Sequence, residues 1–248
     1  MSSAVPALPP EEKPLSQTER VLDAFIAPTK TFTDLRRSSN WLVPWILMSI
    51  VSVGLAFMVD KKLGMEKVVE NQLVLVPKQA EALDKLTPEK RARQMEMILT
   101  WNRVIAYAAP VVVIIILAII SAVLLGSFNF GLGTELKYNQ CMAVSMYASL
   151  PSMLKALIAM LTIAVGAGDA FTFQNPIASN LSGLFDPSSH FLYSVAMSLD
   201  VFAIWTLILA GIGFSCLTKV KRGTCLVIVF GWWAALVLGG AAFSAAFS

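Results

Sequence analysis

The feature of this sequence that most constrains its fold is a series of long apolar runs that contain no charged residue. The runs at 41–59, 104–130 and 224–247 hold no Asp, Glu, Lys or Arg. A helix needs about 20 apolar residues to cross the hydrocarbon core of a bilayer. Only 14% of the 248 residues are charged, whereas soluble domains carry about 25%. The sequence therefore predicts an all-α membrane protein.

Two further runs are apolar apart from one charged residue each, Lys155 in the first and Asp200 in the second. Together with the three uncharged runs they predict a polytopic membrane helical bundle of five transmembrane helices. The predicted spans lie at about 41–59, 104–130, 138–165, 191–217 and 224–247. The predicted organisation is a disordered tail at 1–15, interfacial amphipathic helices at 16–40 and the membrane domain at 41–248.

Lys and Arg in short loops predict which side of the membrane each loop faces. Lys219, Lys221 and Arg222 crowd the link between the fourth and fifth spans, whereas the segment 166–190 contains no Lys or Arg. This asymmetry predicts a cytoplasmic N-terminus and a C-terminus on the opposite, periplasmic side. The segment 60–103 is an exception, because it would face outward with nine Lys and Arg against seven Asp and Glu.

The residues just before the first span predict two short amphipathic helices. Ser16 and Glu19 have the spacing of a capping box, and the helix that they open places Arg20 on its polar face. Thr31 and Asp34 have the same spacing and predict the start of a second helix. We expect these helices either to lie in the cytoplasmic headgroup layer or to pack on the protein's own cytoplasmic loops.

The polar segment between spans one and two predicts an extracytoplasmic helical hairpin. Thr87 followed by Pro88 is typical of a helix start, and nothing from Pro88 to Pro110 would end that helix before it enters the second span. A partner helix is predicted at 65–76, because Pro77 would end it.

Lys155 and Asp200 are the chemically conspicuous residues of the predicted spans. Both lie about 15–16 Å from the same face of the membrane, since adjacent spans run antiparallel. A lone charge there costs on the order of 2.5–3.5 kcal/mol, so we expect the two side chains to pair. The favoured interpretation is a salt bridge that fixes the register of two helices, because the chain has no internal repeat and no second intramembrane carboxylate. The alternative is an ion or proton pathway.

The remaining patterns indicate packing rather than chemistry. Gly231, Ala235 and Gly239 recur at four-residue spacing, which predicts a helix-packing face within the bundle. The sequence contains no phosphate-binding loop, His-Glu metal motif or serine-nucleophile elbow, and it has one histidine. We therefore predict no catalytic site, no metal and no cofactor. The net charge of +3 is too small to predict a nucleic-acid partner.

Several motifs resemble those of the Yip family, whose founders are Ypt-interacting proteins. The stretch SLDVFAIW at 198–205, followed by GIG at 211–213, is similar to the fourth-span signature of that family. FIAPTKTF at 25–32 resembles the opening of its bacterial members, and YASLP at 147–151 resembles its third-span motif. The signature residues are Pro28, Phe32, Trp41, Pro44, Tyr147, Pro151, Asp200, Trp205 and Gly211.

The resemblance implies five helices, a cytoplasmic N-terminus and no enzyme activity. Eukaryotic members bind Rab-type GTPases and shape membrane traffic, and some bacterial members accompany ABC-type exporters. The leading hypothesis is a non-enzymatic accessory or scaffold protein of the cell inner membrane. Its expected partners are membrane lipids and other membrane protein subunits, such as an ABC exporter and its periplasmic adaptor. The alternatives are a small transporter or channel that uses Lys155 and Asp200, and a membrane-trafficking or membrane-shaping factor.

Overall fold

The computed structural model describes residues 13–247, so the predicted disordered tail lies largely outside the described residues. Within that range the chain is helical and contains no β-strand, which confirms the all-α prediction. The α-helices are α1 (Gln17–Ile26), α2 (Pro28–Asp34), α3 (Leu42–Met58), α4 (Met65–Val74), α5 (Pro77–Asp84), α6 (Pro88–Tyr107), α7 (Ala109–Leu132), α8 (Tyr138–Ala148), α9 (Leu150–Ala164), α10 (His190–Ser198), α11 (Val201–Leu217) and α12 (Arg222–Phe247). A π-helical turn, Val59–Leu63, extends α3.

Four helical stretches of the described chain are long and apolar enough to cross a membrane. They are α3 with its π-helical turn (22 residues), α7 (24 residues), α8 with α9 (27 residues) and the first 24 residues of α12. At 1.5 Å per residue, each of them matches or exceeds the roughly 30 Å of hydrocarbon in a bilayer. The protein therefore has the architecture of a multi-pass membrane protein.

The fourth predicted span, 191–217, is not one continuous helix. It is divided into α10 and α11, and Leu199 and Asp200 between them are not helical. The Asp200 carboxylate accepts hydrogen bonds from the backbone N–H groups of Phe202 and Ala203, so it caps a new helix instead of continuing the old one. The remaining apolar helix, α11, has 17 residues and a length of about 26 Å, which is short for a span.

The polar segment between the first two spans forms a helical hairpin in which α4 packs against α6. Met65 and Val68 of α4 are buried in an apolar cluster against which Leu99 of α6 packs. The helix predicted to continue unbroken into the second span ends instead at Tyr107. Pro110 is the physical reason, because it lacks the backbone N–H that would continue the ladder.

The core of the bundle is centred on α8, in which every residue from Cys141 to Ala148 is buried. Small side chains such as Ala143 and Ala148 allow neighbouring helices to approach α8 closely. Helices α7 and α11 pack on its sides, and Phe128 of α7 stacks on Phe214 of α11 with ring centroids 4.6 Å apart.

The short helix α2 is part of this core. Phe32 and Leu35 are completely buried, and Phe32 lies so close to Gly213 of α11 that a Cβ added there would be 2.9 Å from its ring. The N-terminal helices were predicted either to lie in the headgroup layer or to pack on the protein's own loops. Helix α2 does pack on the protein itself, but it contacts other helices rather than loops. Helix α1 keeps Leu22 and Ile26 exposed, so a membrane-surface position for α1 stays a prediction.

Two predictions for the N-terminal helices are corrected by the structure. The first capping box, Ser16 with Glu19, is confirmed, but the second is wrong because α2 begins at Pro28. The Thr31 hydroxyl and the Asp34 carboxylate bind the backbone oxygen and the guanidinium of Arg20 instead. Arg20, which was expected on a polar face, is buried.

The close helix approach predicted for α12 occurs elsewhere. Gly231, Ala235 and Gly239 are exposed, and a Cβ added to either glycine would meet no atom within 4 Å. In contrast, a Cβ on Gly211 of α11 would lie 2.9 Å from Cγ of Leu226 and 3.2 Å from its Cα. The contact between α11 and α12 therefore depends on Gly211.

A pair of glycine substitutions tests this assignment. Gly211→Ala should lower the free energy of unfolding by about 1–3 kcal/mol, because the added methyl group overpacks the interface with Leu226. Gly231→Ala, the matched control, should be neutral or slightly stabilising, because alanine is the better helix former. Denaturant titration in detergent micelles measures both, and equal effects of the two substitutions would contradict the assignment.

Candidate functional site

The charged residues predicted to pair within the spans do lie together in the structure. Lys155 projects from α9, and Asp200 occupies the break between α10 and α11. The Lys155 Nζ atom is 2.8 Å from Asp200 Oδ2, and the two side chains are 16% and 7% exposed. This distance and burial describe a charge-assisted hydrogen bond shielded from bulk solvent.

The carboxylate of Asp200 accepts four hydrogen bonds. Its Oδ2 atom binds Lys155 and the hydroxyl of Ser179. Its Oδ1 atom accepts from the backbone N–H groups of Phe202 at 2.9 Å and Ala203 at 3.1 Å. A carboxylate offers about four lone-pair sites, so the acceptor capacity of Asp200 is filled. We call the cluster of Lys155, Ser179 and Asp200 the α9–α11 clamp.

A third chain segment reaches the clamp through Ser179, a residue that the sequence did not predict to be part of the site. The segment between α9 and α10 folds back, so that the backbone N–H of Val201 donates to the Ser179 carbonyl at 3.1 Å and Asn180 forms an isolated antiparallel bridge with Asp200. A further bond joins the N–H of Leu181 to the carbonyl of Ala196 at 3.1 Å. The break could have been predicted from Asp200, because Asp is a common helix-capping residue. No local sequence pattern indicates that Ser179 belongs to the clamp.

The clamp is chemically a fixed ion pair. With its lone pairs occupied, Asp200 offers no site to a proton or cation unless a donor is displaced. Within the described residues no buried side-chain nitrogen or oxygen lacks a hydrogen-bond partner. The geometry therefore supports the structural interpretation of Lys155 and Asp200 over an ion pathway.

A second buried ion pair joins α1 to α2 and was not predicted. Arg20 Nε lies 2.6 Å from Asp34 Oδ2, and Arg20 Nη1 donates to the backbone oxygen of Ser38 at 3.0 Å. The adjoining Tyr147 hydroxyl of α8 donates to Gln17 Oε1 at 3.1 Å. Because the chain reverses at Ala27, residues 20 and 34 face each other, which periodicity along one helix does not reveal.

The signature residues lie mainly where elements meet. Phe32, Pro44, Tyr147, Pro151 and Gly211 are all buried. Their burial ties the signature to packing between helices.

The other signature residues mark starts and contacts of helices. Pro28 is the first residue of α2. The Trp41 indole N–H donates to Asn139 Oδ1 at 2.8 Å, which joins the start of α3 to the start of α8. The Trp205 ring meets Phe25 of α1 edge-on, with centroids 5.7 Å apart.

The described residues do not form a metal site. No three His, Cys, Asp or Glu side chains between residues 13 and 247 come together so that they could hold an ion. Cys141, Cys216 and Cys225 are buried free thiols.

Comparison with models of known protein families identifies the family of this chain. Residues 22–243 match the Yip1 domain. The chain belongs to the Yip1 domain family. No curated protein and no solved structure gives a significant match to the chain.

The Yip1 domain of this protein contains the whole α9–α11 clamp. Lys155, Ser179 and Asp200 all lie inside the matched range, as does Asp34, whereas Arg20 precedes it by two residues. The clamp is therefore built within the Yip1 domain itself, and the N-terminal ion pair crosses its boundary.

A double-mutant cycle tests the clamp. Asp200→Asn and Lys155→Met should each lower the free energy of unfolding by about 3 kcal/mol, because each leaves a buried partner unpaired. The double variant Lys155→Met with Asp200→Asn should lose clearly less than the sum of the two losses. Denaturant titration of the purified proteins in one detergent provides all four values.

Ser179→Ala is the control for the folded-back segment, and it should cost about 1 kcal/mol. Additive losses at Lys155 and Asp200 would show that the two residues do not stabilise each other. If Asp200→Asn left stability intact and abolished an ion flux into liposomes, the structural interpretation would be wrong.

Proposed function

We propose that this Yip1-domain protein is a non-enzymatic accessory or scaffold protein that docks on a larger membrane assembly through its α4–α6 hairpin. The observation that carries the proposal is an exposed face of α6, formed by Arg93, Met97, Trp101 and Val104. Met97, Trp101 and Val104 are 52%, 59% and 50% exposed. Their spacing of four and three residues places them on one side of the helix.

The exposed α6 face is distinct from the face that holds α6 in the protein. Leu99 packs toward α3 and α4, and Ala106 is buried. Met97, Trp101 and Val104 lie on the side of α6 that faces away from Leu99 and are exposed. Tryptophan, arginine and methionine are enriched at protein interfaces, and a tryptophan anchor often dominates the binding energy.

The hairpin is also joined to the rest of the protein at its base, which favours docking. Arg103 Nε lies 3.1 Å from Asp60 Oδ1, so α6 is joined to the end of the first span. The Asn71 side chain of α4 donates to the backbone oxygens of Asp169 and Phe171 at 2.7 and 2.9 Å. A surface that is already ordered loses less conformational entropy on binding.

The partner that we propose is an ABC-type exporter of the cell inner membrane, together with its periplasmic adaptor. This choice rests on the resemblance to bacterial Yip proteins and on the length of the hairpin, whose helix α6 alone measures about 30 Å. The transporter alternative is weakened by the filled acceptor sites of Asp200.

Co-purification tests the docking proposal. The tagged protein, extracted in mild detergent, should bring down a membrane partner that mass spectrometry identifies as exporter subunits. The variant Met97→Ser with Trp101→Ser should reduce the recovered partner by about 30-fold, since an interface anchor contributes about 2 kcal/mol or more.

Val74→Ser is the matched control, because Val74 is an exposed apolar residue of α4, outside the exposed α6 face. It should leave recovery unchanged. A protein that is always purified alone, or equal losses in both variants, would overturn the proposal. If Trp101 merely anchored α6 in lipid, partner recovery would not depend on it.

We also propose that the protein crosses the membrane five times. In this arrangement α10 and α11 form the fourth crossing, the N-terminus is cytoplasmic, the hairpin is periplasmic and the C-terminus is periplasmic. The concentration of Lys219, Lys221 and Arg222 between α11 and α12 supports this orientation.

Thiol labelling tests the orientation with little background, since the three native cysteines are buried. Ala82→Cys in α5 should react with a membrane-impermeant maleimide in cells whose inner membrane is intact. Gly223→Cys at the start of α12 should react only after that membrane is opened. The opposite pattern would invert the topology, and labelling of both sites from outside would show that α10 and α11 do not cross the membrane.

A further inference from the structure

A cleft of about 480 Å³ lies between the hairpin and the segment that joins α9 to α10. Helix α4 lines it with Asn71 and Leu75, the joining segment with Asn175 and Phe185, and α10 with Tyr193. Clefts of about 300–1,000 Å³ that combine apolar and aromatic side chains with a few polar groups are typical of small-molecule sites. We call this site the α4–α10 cleft. It is separate from the exposed α6 face, since no residue of α6 lines it.

Hydrogen bonds hold the walls of the cleft in place. The Asn71 side chain is fixed by the two backbone carbonyls to which it donates near the start of the joining segment. Asn180, which also lines the cleft, donates from Nδ2 to Asn175 Oδ1 at 2.9 Å. The bridge between Asn180 and Asp200 joins this wall to the α9–α11 clamp. A cleft whose walls are already ordered loses less conformational entropy when a ligand binds.

The charges around the cleft favour an uncharged ligand. No charged side chain is among the described residues that line it. The charged residues next to lining residues in the sequence are the exposed acids Glu70, Asp169 and Asp186. They carry negative charge at neutral pH, and hydrogen bonds from the backbone and hydroxyl of Ser188 lower the pKa of Asp186 further. An anion is therefore disfavoured, and a cation would find no carboxylate on the lining, so either charge would lose hydration without gaining a partner.

Three polar groups on the lining have unused hydrogen-bonding capacity. Within the described residues the Tyr193 hydroxyl, Asn175 Nδ2 and Asn71 Oδ1 take part in no hydrogen bond. All three residues are half-buried, and no buried side-chain nitrogen or oxygen of the described chain lacks a partner. These three groups are therefore accessible to a ligand. They offer an acceptor, a donor and a hydroxyl that can act as either.

This combination suits a ligand that is rich in hydroxyl groups. Each hydroxyl both donates and accepts, so neighbouring hydroxyls on one ring can satisfy all three groups. The rings of Phe185 and Tyr193 add faces of negative electrostatic potential, against which the C–H groups of a sugar ring can pack. A purely apolar ligand would instead leave polar groups without partners. We propose that the α4–α10 cleft binds an uncharged sugar, carried by a soluble glycoside or by a glycolipid, independently of any protein partner docked on α6.

Ligand-observed NMR titration of the full-length protein in phosphatidylcholine nanodiscs tests the proposal, after purification in a detergent that has no sugar headgroup. The probes are the methyl glycosides of glucose, galactose, mannose and N-acetylglucosamine. At least one of them should bind. Its uronic acid analogue should bind at least tenfold more weakly, because no cation on the lining pairs with the carboxylate. Competition by a glycolipid of the same sugar in the nanodisc would assign the sugar to a lipid, and its absence would assign it to a soluble glycoside.

Two substitutions remove single ligand-binding groups from the cleft. Tyr193→Phe removes only the hydroxyl. Asn175→Asp removes Nδ2 but keeps the Oδ1 atom that accepts from Asn180. Each should weaken binding of the glycoside about fivefold, the size of one hydrogen bond, and the double variant should weaken it about 25-fold.

The control Tyr107→Phe with Asn40→Asp makes the same chemical changes at exposed positions outside the cleft. Asn40 Oδ1 also accepts a hydrogen bond, from the backbone N–H of Leu42, and the substitution keeps it. This control should bind like the wild type, and equal denaturation midpoints show that both double variants are folded. No binding by any glycoside, equal binding by the uronic acid, or equal losses in the control would each overturn the proposal.

Discussion

The carboxylate of Asp200 holds together three parts of this membrane protein. A buried polar group needs a partner inside the protein, because burial removes the water that would otherwise bind it. Asp200 meets that requirement by accepting from the ammonium of Lys155, the hydroxyl of Ser179 and two N–H groups at the start of α11. Helix α9, the segment between α9 and α10, and the start of α11 therefore converge on one side chain. This arrangement requires the break in the fourth predicted span, because Asp200 can accept these N–H groups only where a new helix starts.

The same principle explains the N-terminal helices. Arg20 and Asp34 are buried as a pair, which allows α1 and α2 to fold together against α8 and α11. Phe32 then fills the space opposite Gly213. As a result, one end of the bundle is a composite surface, built from α2 and from the link between α11 and α12.

The residues that carry the resemblance to the Yip family contribute to the packing of this bundle. The signature residues Tyr147, Pro151 and Gly211 are buried where helices pack, and Asp200 is the centre of the α9–α11 clamp. The exposed α6 face, by contrast, lies outside this packed core. The docking proposal therefore concerns a surface that the packed helices hold in place but that does not take part in their packing.

The sequence was enough to predict the fold class and most of the membrane-crossing helices, because the length and hydropathy of a run are local properties. It also predicted the pairing of Lys155 with Asp200, since two opposite charges at one depth on adjacent antiparallel helices have few other partners. The three-dimensional structure was needed to show that Asp200 ends one helix and starts another, because Ser179 reaches it from a segment with no periodic pattern. It also decided that Arg20 is buried and that the small-residue face of α12 is open. Such outcomes depend on which surfaces meet in space, and that information is not contained in the spacing of residues along one helix.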